Sequence, residues 1–179
     1  PIILMKKAYI YIDIGADTYC SYWPNIAYIK GLLHEGLKTW DMNLGLGAST
    51  ITYISSILCD PFDWPAFLFP SEKIYMGIYI GLVLKNVCVA CYAYKYIGKK
   101  QIEGYPRIIS SIMIVFSGWF VGWGQHYTFA TIYVYFIMML YYLEIWMQEK
   151  KYIGLIVSTA LLAVVSPYFC YMVLLFLAF

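Results

Sequence analysis

The stretch Ile74–Ile97, IYMGIYIGLVLKNVCVACYAYKYI, decides the fold of this chain. Its only charged side chains are Lys85 and Lys95. A helix rises about 1.5 Å per residue and the hydrocarbon core of a bilayer is about 30 Å thick, so a helix of this length crosses the core. The stretch therefore predicts a membrane-spanning helix, and the rest of the chain is interpreted from it.

Further apolar runs follow this stretch. They are Ile108–Gly122, Tyr127–Met147 and residues 152–179. The second is long enough to span, and the first reaches that length with the aromatic residues that follow it, since aromatic rings favour the membrane interface. Ser166 and Pro167 either kink one long final helix or end one helix and begin another. We expect about four to five transmembrane helices in residues 74–179.

Composition agrees with a membrane protein. Hydrophobic residues make up 63% of the chain and charged residues 12%, and the mean hydropathy is +0.69, whereas soluble domains are roughly half apolar and a quarter charged. The net charge of +2 comes from scattered basic residues, which argues against a nucleic-acid partner. Because the chain begins at Pro1 and ends within an apolar run at Phe179, we expect it to be a piece of a longer protein.

The short connections predict the orientation. The basic residues that bracket the first and third connections are Lys95, Lys99, Lys100, Arg107, Lys150 and Lys151. The second connection, at Gln125 and His126, has none. Since basic loops stay in the cytosol, we expect a multi-pass protein of the cell membrane, with residues 1–73 and His126 on the extracytoplasmic side.

The region before the first span predicts an amphipathic helix that lies in the interface plane. Its apolar positions recur at helical spacing and are Ile26, Ile29, Leu32, Leu33, Leu37 and Trp40. Its other face is polar. We interpret Asp41–Ser49 as a loop and Cys59–Pro70 as an aromatic turn. The predicted fold is an all-α polytopic helix bundle with an extracytoplasmic region, residues 1–73, that contains this interfacial helix.

Several short motifs occur along the chain in a fixed order. They are Asp13-Ile14-Gly15-Ala16-Asp17 leading to Tyr22-Trp23-Pro24, Trp40 with Asn43-Leu44-Gly45-Leu46-Gly47, Asp60-Pro61-Phe62 up to Leu68-Phe69-Pro70, Leu84-Lys85, Phe116-Ser117-Gly118 before Gly124-Gln125-His126, and Ser166-Pro167-Tyr168-Phe169 with Tyr171. In this order the chain resembles the YfhO family of bacterial membrane proteins, which look like GT-C-type glycosyltransferases. The likeness runs over nearly the whole chain.

This resemblance implies a membrane enzyme of the GT-C-like kind. Such an enzyme takes a sugar from a polyprenyl-phosphate carrier on the outer face and transfers it to a cell-envelope glycopolymer acceptor such as a teichoic acid. The family has more helices than this chain. The resemblance also implies that the key carboxylate lies in the first outward region.

Asp13 and Asp17 are the candidate catalytic residues. If the segment is helical, their spacing places both carboxylates on one face with Cβ atoms about 6 Å apart, where a proton or a cation would offset their repulsion. One could take the proton of the acceptor hydroxyl while the other holds a divalent metal, Mg²⁺ or Mn²⁺. The alternative is a solvated loop in which Asp17 caps the following helix.

Lys85, His126 and Asp60 are the candidate substrate-binding residues. A charge in mid-span costs at least roughly 2.5 kcal/mol, so Lys85 needs a partner, which is either a lipid phosphate or a group on a neighbouring helix. His126 either binds the phosphate or is a hydrated interfacial residue. Asp60 precedes Pro61, where Asp-Pro initiates a turn without any chemistry.

Two alternatives to an enzyme remain at this stage. In a transporter or flippase, Lys85 and Asn86 would line a substrate path near the middle of the bilayer. In a non-catalytic membrane subunit, the outward region would bind a partner. The glycine pairs Gly77/Gly81 and Gly118/Gly122 are interpreted as helix-packing positions in all three cases.

Overall fold

The computed structural model describes residues 17–123 and 126–178, which are mainly helical. The α-helices are α1 (Trp23–Glu35), α2 (Ile51–Leu58), α3 (Trp64–Phe67), α4 (Ile74–Lys99), α5 (Tyr105–Val115), α6 (Gly118–Trp123), α7 (Tyr127–Glu149), α8 (Ile153–Val165) and α9 (Pro167–Ala178). A π-helical turn, Thr18–Tyr22, precedes α1, and a 3₁₀ turn, Ser71–Lys73, precedes α4. The described residues divide into two compact units between Leu82 and Val83.

Helix α1 is shorter than the predicted amphipathic helix. Ile26, Ile29 and Leu32 form its buried stripe, as the spacing predicted, but the helix ends at Gly36. The backbone of Gly36 has φ +110°, a conformation that favours glycine and stops the helix. Leu37 and Trp40 therefore lie beyond the helix and are exposed, contrary to the predicted apolar face.

A small hairpin follows α1 where a loop was predicted. Strands β1 (Trp40–Asp41) and β2 (Ala48–Ser49) pair antiparallel. Gly45 (φ +62°) and Gly47 (φ +105°) let the backbone turn between them. The hydroxyl of Tyr28 on α1 donates a 2.5 Å hydrogen bond to the Asp41 carboxylate, which joins the hairpin to the helix.

The predicted aromatic turn folds into α3 and packs on neighbouring segments. The ammonium of Lys30 on α1 donates to the carbonyl oxygens of Phe67, at 3.2 Å, and of Phe69. A cation at this position satisfies the hydrogen-bonding capacity of carbonyl groups that have no donor within the helix at the end of α3. Ala66 on α3 is fully buried, and a Cβ on Gly77 of α4 would overlap its backbone, so Gly77 is a packing position as predicted.

In the second unit, helices α4 and α7 run parallel. Lys85 of α4 contacts Tyr127 at the start of α7, while Lys99 at the end of α4 forms an ion pair with Glu149 at the end of α7. Between these ends, the ring of Tyr92 lies 5.9 Å from the ring of Tyr142. By length and composition, two helices long enough to span a bilayer are confirmed. They are Ser71–Lys99, which includes the 3₁₀ turn before α4, and Tyr127–Glu149.

The apolar run Ile108–Gly122 forms two helices instead of one span. Helix α5 ends at Val115 and α6 begins at Gly118, with the break at Phe116 and Ser117. The hydroxyl of Tyr133 donates a 3.3 Å hydrogen bond to the carbonyl of Ile114, so a side chain of α7 completes the backbone at the break. Among the described residues, nothing lies within 4 Å of the position that a Cβ on Gly118 would take, so the packing role of Gly118 stays a prediction.

The last apolar run also forms two helices, which settles the choice left open at Ser166 and Pro167. The thiol of Cys170 lies 3.7 Å from the carbonyl oxygen of Thr159, whereas eleven residues of continuous helix would separate them by about 16 Å. Helix α9 therefore folds back on α8. Ring contacts of Phe129 with Phe169 and of Phe136 with Phe176 make α9 parallel to α7.

We predict that Gly77→Ala destabilises the fold whereas Gly31→Ala does not. The new methyl group at position 77 would collide with the Ala66 backbone, and overpacking of this kind costs about 1–3 kcal/mol. Gly31, in the interior of α1, has open space around it, and alanine there adds helix propensity of about 0.5–1 kcal/mol. Thermal unfolding in detergent measures both changes; equal effects of the two substitutions would contradict the close contact.

The Tyr28–Asp41 hydrogen bond predicts a pH dependence of stability. The bond, together with the amide of Asn43, lowers the pKa of Asp41, so the stability that Asp41 contributes is present above its unfolded pKa and is lost as the pH falls through its folded pKa. Partial burial and the same bond raise the pKa of Tyr28 to about 12, so its contribution is complete below the unfolded value of about 10 and is lost toward pH 12.

Tyr28→Phe therefore lowers stability at neutral pH, and its difference from the parent protein shrinks below about pH 4 and above about pH 10. Tyr105, which is 82% exposed, provides the matched control Tyr105→Phe, for which we expect no such pattern. Unfolding midpoints between pH 3 and 12 measure this. A difference that stays constant across the range would exclude the proposed coupling.

Candidate functional site

The predicted site residues are distributed over both units. Asp13 lies outside the described residues. Asp17 and Asp60 belong to the first unit, and Lys85 and His126 belong to the second. The pairing of Asp13 with Asp17, and the metal that it would bind, stay predictions.

Asp17 lies directly before the π-helical turn that leads into α1 and is half-buried. The N-cap position of α1 is held by Tyr22, whose side chain makes no capping bond. Both interpretations of Asp17, the functional residue and the helix cap, stay predictions.

Asp60 is a buried turn residue. Its side chain is 2% exposed, and one carboxylate oxygen accepts a 3.0 Å hydrogen bond from the amide of Phe62. Its carbonyl oxygen accepts another from the amide of Asp63. A short polar side chain that bonds the backbone two residues ahead is a usual way to fix a turn, so this geometry agrees with the structural interpretation of the Asp-Pro pair.

Lys85 is fully buried between α4 and α7. Its ammonium donates a 3.1 Å hydrogen bond to the carbonyl oxygen of Tyr127, and the same nitrogen lies 3.1 Å from the centroid of the Tyr127 ring. A cation over an aromatic face gains about 2 kcal/mol or more when it is desolvated. A group on a neighbouring helix thus supplies a partner for the charge, as one of the two predicted alternatives required.

His126 occupies the N-cap position of α7, immediately before Tyr127. Its ring lies 4.9 Å from the ring of Phe129 and 5.6 Å from that of Trp123, both measured between centroids. The Phe129 ring in turn contacts Phe169 on α9. The structure therefore brings Lys85 and His126 to the same end of α7, where backbone amides and the helix dipole also favour negative charge.

The other end of α7 carries an ion-pair network that the sequence did not reveal. Lys99 pairs with Glu149, and Lys100 pairs with Glu144 at 2.5 Å. The bond to the Glu144 carboxylate raises the pKa of Lys100. Gln148 joins the network through a 2.7 Å bond to Glu144. Glu144 was the available signal, because an acid within an apolar helix requires a cation nearby.

In the described part of the chain, no three His, Cys, Asp or Glu side chains come together as metal ligands. The described elements of the site are basic and aromatic side chains. They consist of Lys85, Tyr127 and His126 at the start of α7. Such a set is suited to an anionic group, such as a phosphate.

Comparison with known proteins identifies no relative of this chain. No family model, no curated protein and no solved structure matches it.

Proposed function

We propose that this chain is part of a multi-pass membrane protein that binds a polyprenyl-phosphate-linked sugar near the start of α7 and transfers the sugar to a cell-envelope acceptor. The observation that carries the proposal is the convergence of Lys85 and His126 at the end of α7 that has no basic connection. The order of the sequence motifs supplies the reaction class.

Membrane placement is supported by the exposed apolar surface of the helices from α4 onward. Only 39% and 44% of the most apolar windows of the two long helices are buried within the protein, whereas the core helix of a soluble protein is mostly buried. Helices α5, α8 and α9 add further exposed side chains, which are Ile108, Ile109, Ile112, Met113, Ile153, Ile156, Val157, Tyr168, Tyr171 and Phe176. Lipid chains are a suitable environment for such a surface.

The shorter apolar helices are consistent with this placement when they are taken as two consecutive pairs, α5 with α6 and α8 with α9. Helices α8 and α9 have 13 and 12 residues, so each rises less than the roughly 30 Å that a single crossing requires. Both helices lie against α7. At the break between α5 and α6, the hydroxyl of Tyr133 donates a hydrogen bond to the carbonyl oxygen of Ile114. Interrupted helices are tolerated within a bilayer where neighbouring side chains satisfy the free backbone groups.

The proposed topology places residues 100–104 and 150–152 in the cytosol and residues 124–126 outside. The Lys99–Glu149 ion pair brings the two basic connections to one end of the second unit, and the contact of Phe129 with Phe169 brings the start of α9 to the start of α7, at the opposite end. This is the arrangement that the positive-inside rule requires.

We expect single cysteines introduced at Glu103 and Lys151 to be protected from an impermeant thiol reagent in intact cells and a cysteine at Gln125 to react, in a cysteine-free background. The fractionated protein should also stay with the membrane during an alkaline wash. Labelling at all three positions, or release by the wash, would contradict the multi-pass placement.

The proposed transfer is a direct displacement at the anomeric carbon. The acceptor hydroxyl oxygen bonds to that carbon as the bond from the carbon to the carrier phosphate oxygen breaks, and the electron pair leaves with the phosphate. The hydroxyl proton passes to a general base, the role that the sequence predicts for Asp13. Lys85 and His126 stabilise the negative charge that grows on the phosphate. Asp13 and Asp17 would hold magnesium or manganese, which would supply positive charge beside the phosphate.

We expect His126→Gln and Lys85→Gln each to reduce sugar transfer about a hundredfold, because each would remove a side chain that stabilises the negative charge on the leaving phosphate. Asp13→Asn should abolish transfer. Lys95→Gln is the matched control, since Lys95 lies on the same helix as Lys85 but is exposed near its other end. The assay uses the full-length protein, radiolabelled polyprenyl-phosphate sugar and acceptor membranes.

The same assay separates the alternatives. Full activity in Asp13→Asn or in His126→Gln would overturn the proposed roles. Labelled lipid that crosses the membrane without losing its sugar would instead indicate a flippase. Because Lys85 is buried, its variant is compared at equal amounts of folded protein, measured by size-exclusion chromatography in detergent.

A further inference from the structure

A cavity opens where α7 meets α8, at the end of α7 opposite to Lys85. It has a volume of about 430 Å³. The residues that line it include Tyr142, Ile145, Lys150, Lys151, Ile153 and Gly154. Gly154 shapes the cavity, because a Cβ at this position would overlap the ring of Tyr142. The ring can therefore lie directly against the start of α8.

The mouth of this cavity is positively charged. Lys150 ends α7 in the left-handed conformation, with φ +59°, and its ammonium has no hydrogen-bonding partner among the described residues. Lys151 pairs with Glu149 at 2.8 Å, but Glu149 is shared with Lys99. Three lysines around one glutamate leave a local excess of two positive charges.

The wall of the cavity continues into an apolar strip. Ile153 is 71% exposed, and the exposed side chains of Ile156 and Val157 follow it at helical spacing on the same face of α8. A ligand whose anionic group contacts Lys150 could therefore lay a hydrocarbon chain along α8. Free phosphate would use only the charged part of this surface.

We propose that the cavity between α7 and α8 binds an anionic phospholipid, with the headgroup phosphate at Lys150 and Lys151 and an acyl chain along Ile153, Ile156 and Val157. The inference rests on the membrane placement proposed above, which puts this connection at the cytosolic headgroup level. It does not depend on the proposed sugar transfer. The volume is within the range of small-molecule sites, about 300–1,000 Å³.

The charge arrangement selects among lipids. Basic pockets between helices near the cytosolic interface attract headgroups with a net negative charge. Phosphatidylglycerol has such a charge, whereas phosphatidylcholine is zwitterionic and its trimethylammonium group would be repelled by the two lysines. We therefore expect the site to prefer phosphatidylglycerol.

The test measures lipid binding to the purified full chain by native mass spectrometry from detergent micelles. We expect phosphatidylglycerol to bind more tightly than phosphatidylcholine with the same acyl chains. Lys150→Gln should weaken phosphatidylglycerol binding about fivefold, as expected for the loss of one lysine near an anionic headgroup. Lys95→Gln is the matched control, because it removes one exposed basic residue of the second unit outside this cavity, and we expect it to change binding little.

Two further measurements test the parts of the site separately. Glycerol phosphate, which has no acyl chain, should compete only weakly with the lipid, and Ile153→Ser should weaken a long-chain lipid more than a short-chain one. Competition by glycerol phosphate equal to that of the lipid would overturn the lipid assignment. Equal binding of phosphatidylcholine, or equal losses in the two lysine variants, would overturn the site.

These outcomes differ from failure of the membrane placement. A protein that resists the alkaline wash yet shows no preference for phosphatidylglycerol would refute the lipid site alone. A protein that the wash releases would refute the placement on which the site rests, whatever lipid it binds in micelles.

Discussion

The buried charge of Lys85 is the constraint on which the second unit depends. An ammonium group that is removed from water must find acceptors, and Tyr127 supplies both a carbonyl oxygen and an aromatic face. This contact fixes α4 beside the start of α7, and the Lys99–Glu149 and Lys100–Glu144 ion pairs fix the two helices at the other end. Attachment at both ends sets their relative register, which apolar packing alone specifies only loosely, and α5, α8 and α9 then pack against α7.

The sequence predicted those parts of the fold that depend on composition over long stretches. The apolar run at Tyr127–Met147 is a helix because nothing interrupts it. The run at Ile108–Gly122 is also apolar but breaks at Phe116 and Ser117, and Tyr133 of α7 bonds to the carbonyl oxygen of Ile114 before the break. That bond joins residues distant in sequence, so no local pattern contains it. The end of α1 at Gly36 was missed for a different reason, since the apolar spacing continued for several residues beyond a glycine that adopts a positive φ.

The candidate site shows the same division between what is local and what is not. The cost of a charge within a span predicted that Lys85 has a partner, and the structure provides one on a neighbouring helix, but sequence spacing could not identify Tyr127. The Asp-Pro turn at Asp60 was foreseeable because its hydrogen bond to Phe62 reaches only two residues along the chain. The ion-pair network around Glu144 could be predicted only if α4 and α7 were known to be parallel. Antiparallel helices would place Lys100 at the end of α7 opposite to Glu144.

The two ends of α7 thus differ in whether their positive charge is buried or exposed. At the start, the ammonium of Lys85 is buried and bonded to the carbonyl oxygen of Tyr127. At the other end, Glu144 and Glu149 neutralise part of the charge and leave the excess at Lys150 and Lys151, in contact with solvent or headgroups. The same excess would keep this end in the cytosol during insertion, because moving lysine across the bilayer is costly. After insertion it would attract anionic lipid headgroups. One electrostatic feature therefore accounts for both the proposed orientation and the proposed lipid preference.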